Sequence, residues 1–181
     1  MTVMHIKGEG LFEAITGLES MEPSVKRGVV RTVRKVTKSS SKSVASRIAK
    51  ATRLPVRTLT QGGGARRGKR VHQYFSRDGM DGFVWVGYNP VKAAYVGRLT
   101  QQVRGARAGR HTYPGGFVAT MRSGHQSIFQ RTQKSRLPIE EKDVSMSVAP
   151  VLVQQETSRI QSRLSDVLLQ EINYEFNVKG N

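Results

Sequence analysis

The sequence predicts an α+β protein with a long N-terminal helix, an antiparallel β-sheet of the meander type and a C-terminal helix packed on the sheet. Two long stretches place apolar residues at steps of three and four, which is helical spacing. Between them, short alternating stretches are separated by Gly and Pro, as is typical of antiparallel strands. The 181 residues can bury a substantial core, so we expect one domain over residues 1–181.

The first long helix is predicted to begin at Pro23 and to end near Arg53. Leu54-Pro55 stops it, because the residue before proline is pushed out of the α conformation. One face is rich in valine, and the others carry basic residues without acidic neighbours for i,i+4 pairing. Such a helix needs packing partners. A strand or arm at residues 3–7 and a short amphipathic helix at residues 11–18 are predicted to precede it.

The C-terminal helix is predicted to start at Pro150 and to run for about 25 residues. A stripe with a period of 3.6 residues is ordinarily core, so this helix is expected to pack against either the valine face of the first helix or the sheet. The stripe consists of Val153, Ile160, Leu164, Val167, Leu168 and Ile172.

A β-hairpin is predicted from residues 71–76 and 82–88, which flank the turn at residues 77–81. Strand alternation puts Phe83 and Trp85 on one face of this hairpin. We expect that face either to be buried or to meet a neighbouring subunit.

A β-meander is predicted to follow the turn Tyr113-Pro114-Gly115-Gly116. Its strands are expected at residues 117–122, 125–131 and 136–140, with glycine- and serine-containing turns between them. Pro138 has no N–H to donate, so the third strand is expected at a sheet edge or at a bulge.

Between residues 113 and 139, an aromatic-Pro-Gly turn precedes an apolar strand, a Phe-x-Arg-Thr strand follows, and Lys-x-Arg-Leu-Pro-Ile comes last. This order resembles the minor tail protein Z family of tailed bacteriophages. The resemblance implies a structural protein of the virion tail without a cofactor or a catalytic residue. It further implies that the protein forms a six-fold ring that completes the head-proximal end of the tail and joins it to the head. It also implies several partners: other copies of the chain, tail terminator, tail tube or neck and head-completion proteins, and DNA in the channel. The matching residues are Tyr113, Pro114, Gly115, Phe117, Phe129, Arg131, Thr132, Lys134, Arg136, Pro138 and Ile139.

Positive charge is concentrated in the middle of the chain. The net charge is +17, and residues 23–139 contain 25 basic residues against two acidic ones. Such a block typically meets phosphate or an acidic protein face. Two Gly/Arg-rich loops are predicted, at residues 60–70 and 103–112, and their cations are expected to face either the DNA channel or an acidic neighbouring protein. These cations are Arg66, Arg67, Lys69, Arg70, Arg104, Arg107 and Arg110.

Enzyme chemistry is not predicted. The first loop nearly matches a P-loop, but Arg70 occupies the position where Ser or Thr must bind magnesium. The four histidines have no metal-binding spacing, and the chain has no cysteine, so neither a disulfide nor a thiolate metal site is expected. No secretory signal or membrane span is predicted, which fits assembly in a host cytoplasm. The alternative function is a free nucleic-acid-binding protein, of ribosomal or chromosome-packaging type.

Overall fold

The computed structural model describes residues 2–7, 23–61 and 70–177, so the short helix predicted at residues 11–18 lies outside the described part. All paired strands are antiparallel, which confirms the α+β class. The three α-helices described are α1 (Pro23–Thr52), α2 (Val56–Thr60) and α3 (Ala149–Asn177). The strands are β1 (Thr2–Lys7), β2 (Val71–Phe75), β3 (Asp81–Val86), β4 (Val91–Lys92), β5 (Leu99–Gln102), β6 (Gly105–Ala108), β7 (His111–Pro114), β8 (Gly116–Thr120), β9 (Gln126–Arg131), β10 (Ile139–Glu141) and β11 (Asp143–Val144), with a 3-10 helix at Ala93–Tyr95.

The chain divides into two compact units. Unit 1 comprises residues 1–45, 71–87 and 150–181, and unit 2 comprises residues 46–70 and 88–149. Because α1 contributes residues to both units, this division does not test the prediction of a single domain.

The sheet of unit 1 has the strand order β1-β3-β2. It contains the predicted hairpin, and β1 extends it by pairing with β3. Val84 and Val86 are fully buried, whereas Phe83 and Trp85 on the opposite face are half-buried. At Gly82 a Cβ would lie 1.9 Å from the Thr37 Oγ1 atom, so only glycine lets α1 approach the sheet this closely.

The helix α3 packs antiparallel to α1. Val29, Val33 and Leu168 form a buried cluster, and Leu164, Ile172 and Met80 from the hairpin turn pack against it. Both partners that the sequence left open for the C-terminal helix therefore take part, since the valine face of α1 supplies the cluster and the hairpin supplies Met80.

The same helix pair is joined by a ladder of ion pairs, which we name the α1–α3 ion-pair ladder. Its cations are Arg27, Arg31 and Lys35, one helical turn apart, and its anions are Glu171 and Glu175. The Nε atom of Arg27 lies 3.2 Å from Glu175 Oε2, and Arg31 reaches both carboxylates. The Glu175 side chain is fully buried, so the ladder supplies the opposite charges that a carboxylate away from water requires.

The described residues of unit 2 form three small sheets. The order β10-β9-β8 confirms the predicted meander and the edge position of its third strand, but this strand begins at Ile139, so Pro138 lies in the loop before it and not within the strand. The strands β5, β6 and β7 form a second meander, and β4 pairs with β11. The Gln101 side chain links the two meanders, because its Oε1 accepts from the Val118 N–H at 2.8 Å and its Nε2 donates to the Gly105 carbonyl at 2.8 Å. Ile48, Leu59, Ala106, Ala108 and Ile128 are fully buried in this unit.

Glu175→Gln tests the α1–α3 ion-pair ladder. We expect it to lower the free energy of unfolding by about 2 kcal/mol, since two cations lose a buried anionic partner but can be partly rehydrated. Urea denaturation at pH 7 measures the effect. Asp166→Asn, an exposed change on the same helix, is the control and is expected to change stability by less than about 0.5 kcal/mol. Equal effects of the two substitutions would contradict the role given to the ladder.

Candidate interaction surface

The excess positive charge belongs almost entirely to unit 2. By sequence, this unit holds 18 Lys and Arg residues and three Asp and Glu residues, for a net charge of +15. Unit 1 holds the other 12 basic and ten acidic residues, for a net charge of +2. Unit 1 is also where the α1–α3 ion-pair ladder pairs cations with buried carboxylates. An acidic partner would therefore bind unit 2.

The prediction of a loop at residues 103–112 is wrong, because this segment forms tight turns and strands of the β5–β6–β7 meander. Ala106 and Ala108 are fully buried while Arg107 between them is exposed, so the segment alternates as a strand does. Alanine is too weakly apolar and the strand too short for this alternation to be recognised in the sequence.

The arginines of this meander are exposed but do not converge. Arg104 lies in the turn before β6 and Arg110 in the turn after it, so they are at opposite ends of a strand, about 20 Å apart along the chain. Arg107 lies between them, and its Nε donates to the Gly109 carbonyl at 2.8 Å. They therefore present a line of positive charge rather than one binding point.

The first predicted loop is described only at its end. Arg66, Arg67 and Lys69 lie outside the described residues. The Arg70 N–H donates to the Leu59 carbonyl at 2.8 Å, and its guanidinium donates to the Pro90 carbonyl at 3.3 Å. These bonds anchor the base of the loop to unit 2.

A cleft in unit 2 brings together three cations from two elements, and we name it the α1-end cleft. Its volume is about 460 Å³. Lys50 and Arg53 come from the end of α1, and Arg110 comes from the turn between β6 and β7. The rest of the lining that the structure describes is largely apolar and contains no acidic residue: Ser46, Ala49, Leu54, Pro55, Val56, Val96 and Gly109.

The end of α1 sets the position of Arg53 in this cleft. Arg53 has a φ of 53°, a left-handed conformation that glycine usually adopts after a helix. The Leu54 N–H donates to the Ala49 carbonyl at 3.0 Å, which is the bond pattern of a Schellman cap. The predicted stop at Leu54-Pro55 is confirmed, but no local pattern indicated that Arg53 would line a cleft.

The residues that carry the family resemblance fall into two groups. Tyr113, Phe117 and Phe129 are structural: the two phenylalanines form a cross-strand pair with ring centroids 6.4 Å apart. Burial, and then the charge of Asp143, raises the pKa of Tyr113 to about 12, so its phenol stays neutral. The Arg131 guanidinium lies 5.9 Å from the centroid of the Phe117 ring.

The second group projects into solvent between β9 and β10. All residues from Arg131 to Pro138 are exposed, and Leu137 is 65% exposed. The Thr132 hydroxyl and N–H both donate to the Pro138 carbonyl at 3.2 Å, which closes the loop at its base. This loop carries Lys134 and Arg136 outward, so it adds to the basic surface of unit 2.

A charged network in unit 2 surrounds Glu141. Its carboxylate accepts from Lys92 and lies 2.8 Å from the Nε2 atom of His125. Although burial opposes ionisation, the hydrogen bonds from Lys92 and His125 outweigh it and lower the pKa of Glu141. The sequence missed this partner of His125, because strand pairing joins positions 16 residues apart.

The network does not have the arrangement of a nucleophilic triad. The His125 Nε2 atom faces the Glu141 carboxylate, and the buried Ser127 hydroxyl has no hydrogen-bond partner, so no base is placed on that hydroxyl. Among the described residues, no group of three His, Asp or Glu side chains could hold a metal ion. No helix in the described ranges has the length and apolar character of a membrane span.

Comparison with known proteins gives one family. Residues 89–179 match the family model described as prophage minor tail protein Z. This range is half of the chain and contains most of unit 2 together with α3. No curated protein and no solved structure matches the chain significantly.

Glu141→Gln tests the charged network through pH. The folded-state pKa of Glu141 is lowered, so its stabilising effect is fully present above the ordinary value of 4.5 and is lost as pH falls through the folded pKa. We expect the variant to lose about 1.5 kcal/mol at pH 7. That difference should shrink as pH falls below 4.5. Thermal unfolding from pH 7 to pH 3 measures it, with the exposed Glu140→Gln as control; a difference that does not change with pH would contradict the network.

Proposed function

Because the chain belongs to the prophage minor tail protein Z family, which indicates a structural role in the phage tail, we propose that it completes the head-proximal end of the tail. In this role it acts as an oligomeric neck adaptor that joins head and tail and lets DNA pass. Its neighbours would be further copies of the chain and the tail terminator, tail tube or neck and head-completion proteins.

The observation that carries this proposal is the net charge of +15 on unit 2. Of this charge, +7 lies in the part of unit 2 that the family match covers and +8 lies in residues 46–70. A structural protein with this charge needs an acidic partner during assembly or function. DNA in a tail channel fits the line formed by Arg104, Arg107 and Arg110, because passing DNA is best attracted through its phosphates without base contacts. Arg66, Arg67, Lys69 and Arg70 are assigned to the same role.

Two features support a ring of identical copies. The strand β10 lies at the edge of its sheet, where backbone groups can pair with another chain. On the sheet of unit 1, Tyr74 stacks on Phe83 with ring centroids 4.7 Å apart, and His72 stacks on Trp85 at 5.0 Å. This aromatic face is only half-buried and suits a subunit contact. Six-fold symmetry follows from the family resemblance.

Copy number tests the ring. Purified tails should contain several copies of this chain per tail, about six, at the head-proximal end. Native mass measurement and electron microscopy of tails labelled on this chain provide the count and the location. One copy per tail, or a location at the distal tip, would overturn the adaptor.

Salt dependence tests the binding of DNA. Duplex binding is expected to be independent of sequence, with a log–log slope of about −0.9 for each phosphate neutralised. Changing Arg66, Arg67, Lys69 and Arg70 together to Ser should make the slope less steep by about 0.9 for each phosphate that the variant no longer neutralises. A variant with Lys26, Lys38, Lys42 and Arg163 changed to Ser removes the same charge from exposed positions of unit 1 and is the control.

The variant with Arg66, Arg67, Lys69 and Arg70 changed to Ser also distinguishes binding of DNA from binding of a protein partner. Tails that join heads but deliver DNA poorly would support the channel, whereas tails that fail to assemble would place these cations against an acidic protein. The alternative function, a free nucleic-acid-binding protein, is supported by the same net charge. It predicts tight duplex binding by a monomer and no incorporation into tails.

A further inference from the structure

We propose that the α1-end cleft binds the acidic, apolar segment at residues 8–22 of a second copy of the chain. This inference rests on the proposed oligomer and names one interaction that would build it. Three properties support it: the chemistry of the cleft, the composition of the segment and the length of chain available.

The cleft is chemically suited to a peptide that carries both carboxylates and aliphatic side chains. Lys50 and Arg53 alone would be ordinary cations at a helix C-terminus, where they complement the helix dipole. Arg110 joins them from a separate element, so three cations converge on one concavity, and none of its described lining residues is acidic. The walls formed by Leu54, Val56 and Val96 are apolar, and Val56 is 46% exposed.

A DNA duplex does not complement this cleft as well. Phosphates approach from a rigid, convex surface and have no apolar part to cover the exposed side chain of Val56. A volume of about 460 Å³ lies within the range of clefts that enclose a few side chains. A peptide can place carboxylates against the cations and an aliphatic group against the wall.

Residues 8–22 have the complementary composition. They contain four glutamates and no lysine or arginine, against the net charge of +15 on unit 2. Apolar residues are interspersed at every three to four positions. The glutamates are Glu9, Glu13, Glu19 and Glu22, and the apolar residues are Leu11, Phe12, Ile15, Leu18 and Met21.

The length of the segment favours a second copy. It is attached at Pro23, the first residue of α1, and the distance from there to Arg53 along α1 is about 45 Å. Lys50 lies about 40 Å along α1 from Pro23, and a fully extended chain covers at most about 3.5 Å per residue. Glu13, Glu19 and Glu22 therefore cannot reach the two α1 cations of the cleft in their own copy.

A labelled peptide of residues 8–22 tests the site. The receptor is the full chain with Glu9, Glu13, Glu19 and Glu22 changed to Lys, so that no copy's own segment competes. We expect fluorescence anisotropy to show salt-sensitive binding. Adding Lys50→Glu, Arg53→Glu and Arg110→Glu to the receptor should weaken it at least tenfold, and Val56→Ser several-fold.

The matched control reverses three exposed cations of unit 2 outside the cleft, through Arg104→Glu, Arg122→Glu and Arg136→Glu. It removes the same charge and should leave peptide affinity within about threefold. Changing Lys50, Arg53 and Arg110 to Gln instead of Glu should also weaken peptide binding, with less risk of misfolding. Far-UV circular dichroism checks that both cleft variants are folded. No peptide binding, or equal weakening by the control, overturns the proposal.

A charge exchange identifies the partner as a second copy. A chain with the three cleft cations changed to Glu and a chain with the four segment glutamates changed to Lys should each associate poorly alone. Mixed, they should associate, because each acidic surface then meets a basic one. If the cleft variant instead loses duplex affinity more than the control and keeps the peptide, the cleft binds phosphate and the proposal is overturned. If the peptide and charge-exchange experiments fail but purified tails contain several copies of the chain, this interaction is ruled out and the proposed adaptor is not.

Discussion

The α1–α3 ion-pair ladder determines where the protein has positive charge available for partners. Glu171 and Glu175 are buried against α1 and pair with Arg27, Arg31 and Lys35, so three cations of the first half of α1 are held by carboxylates of the same chain. Beyond Ala45, α1 belongs to unit 2, which contains only three acidic residues. The acidic residues of α3 thus balance part of the charge of α1 in its first half, whereas the cations near its end have few acidic neighbours within their unit.

The available cations differ in what they can recognise. Those on the β5–β6–β7 meander form an exposed line, which suits a long, uniformly charged partner such as DNA. Those of the α1-end cleft converge on an apolar wall, which suits a short segment with mixed chemistry. The two sets share Arg110, and the two proposed partners differ in what they require, because attraction to phosphate needs only proximity whereas apolar packing needs a matching shape.

The family resemblance also has two physical components. Phe117 and Phe129 pack across strands and define the meander, so they explain the fold without requiring a partner. Lys134, Arg136 and Leu137 protrude into solvent from a loop that Thr132 closes at its base. An exposed leucine next to Arg136 suits binding to a partner better than packing in a core, so we group this loop with the proposed interaction surface of unit 2.

Local order determined much of what the sequence could predict. The spacing of the valines predicted α1, and Leu54-Pro55 predicted where it ends. The apolar stripe with a period of 3.6 residues predicted α3. Alternation interrupted by Gly and Pro predicted the hairpin and the β8–β10 meander. Each depends on neighbours within a few residues, which the sequence displays directly. The sequence also determined the family, because the order of Tyr113, Phe129 and Arg136 is itself linear information.

Tertiary structure decided which charges are paired and which side chains meet. Glu171 and Glu175 reach Arg27 and Arg31 across about 140 residues, and Glu141 reaches His125 only through strand pairing. Arg110 joins Lys50 and Arg53 because a turn of unit 2 lies against the end of α1. Segment 103–112 became strands because burial of Ala106 and Ala108 outweighed their weak propensity. These outcomes depend on distances between parts of the chain that are far apart in sequence, and composition and period carry no record of such distances.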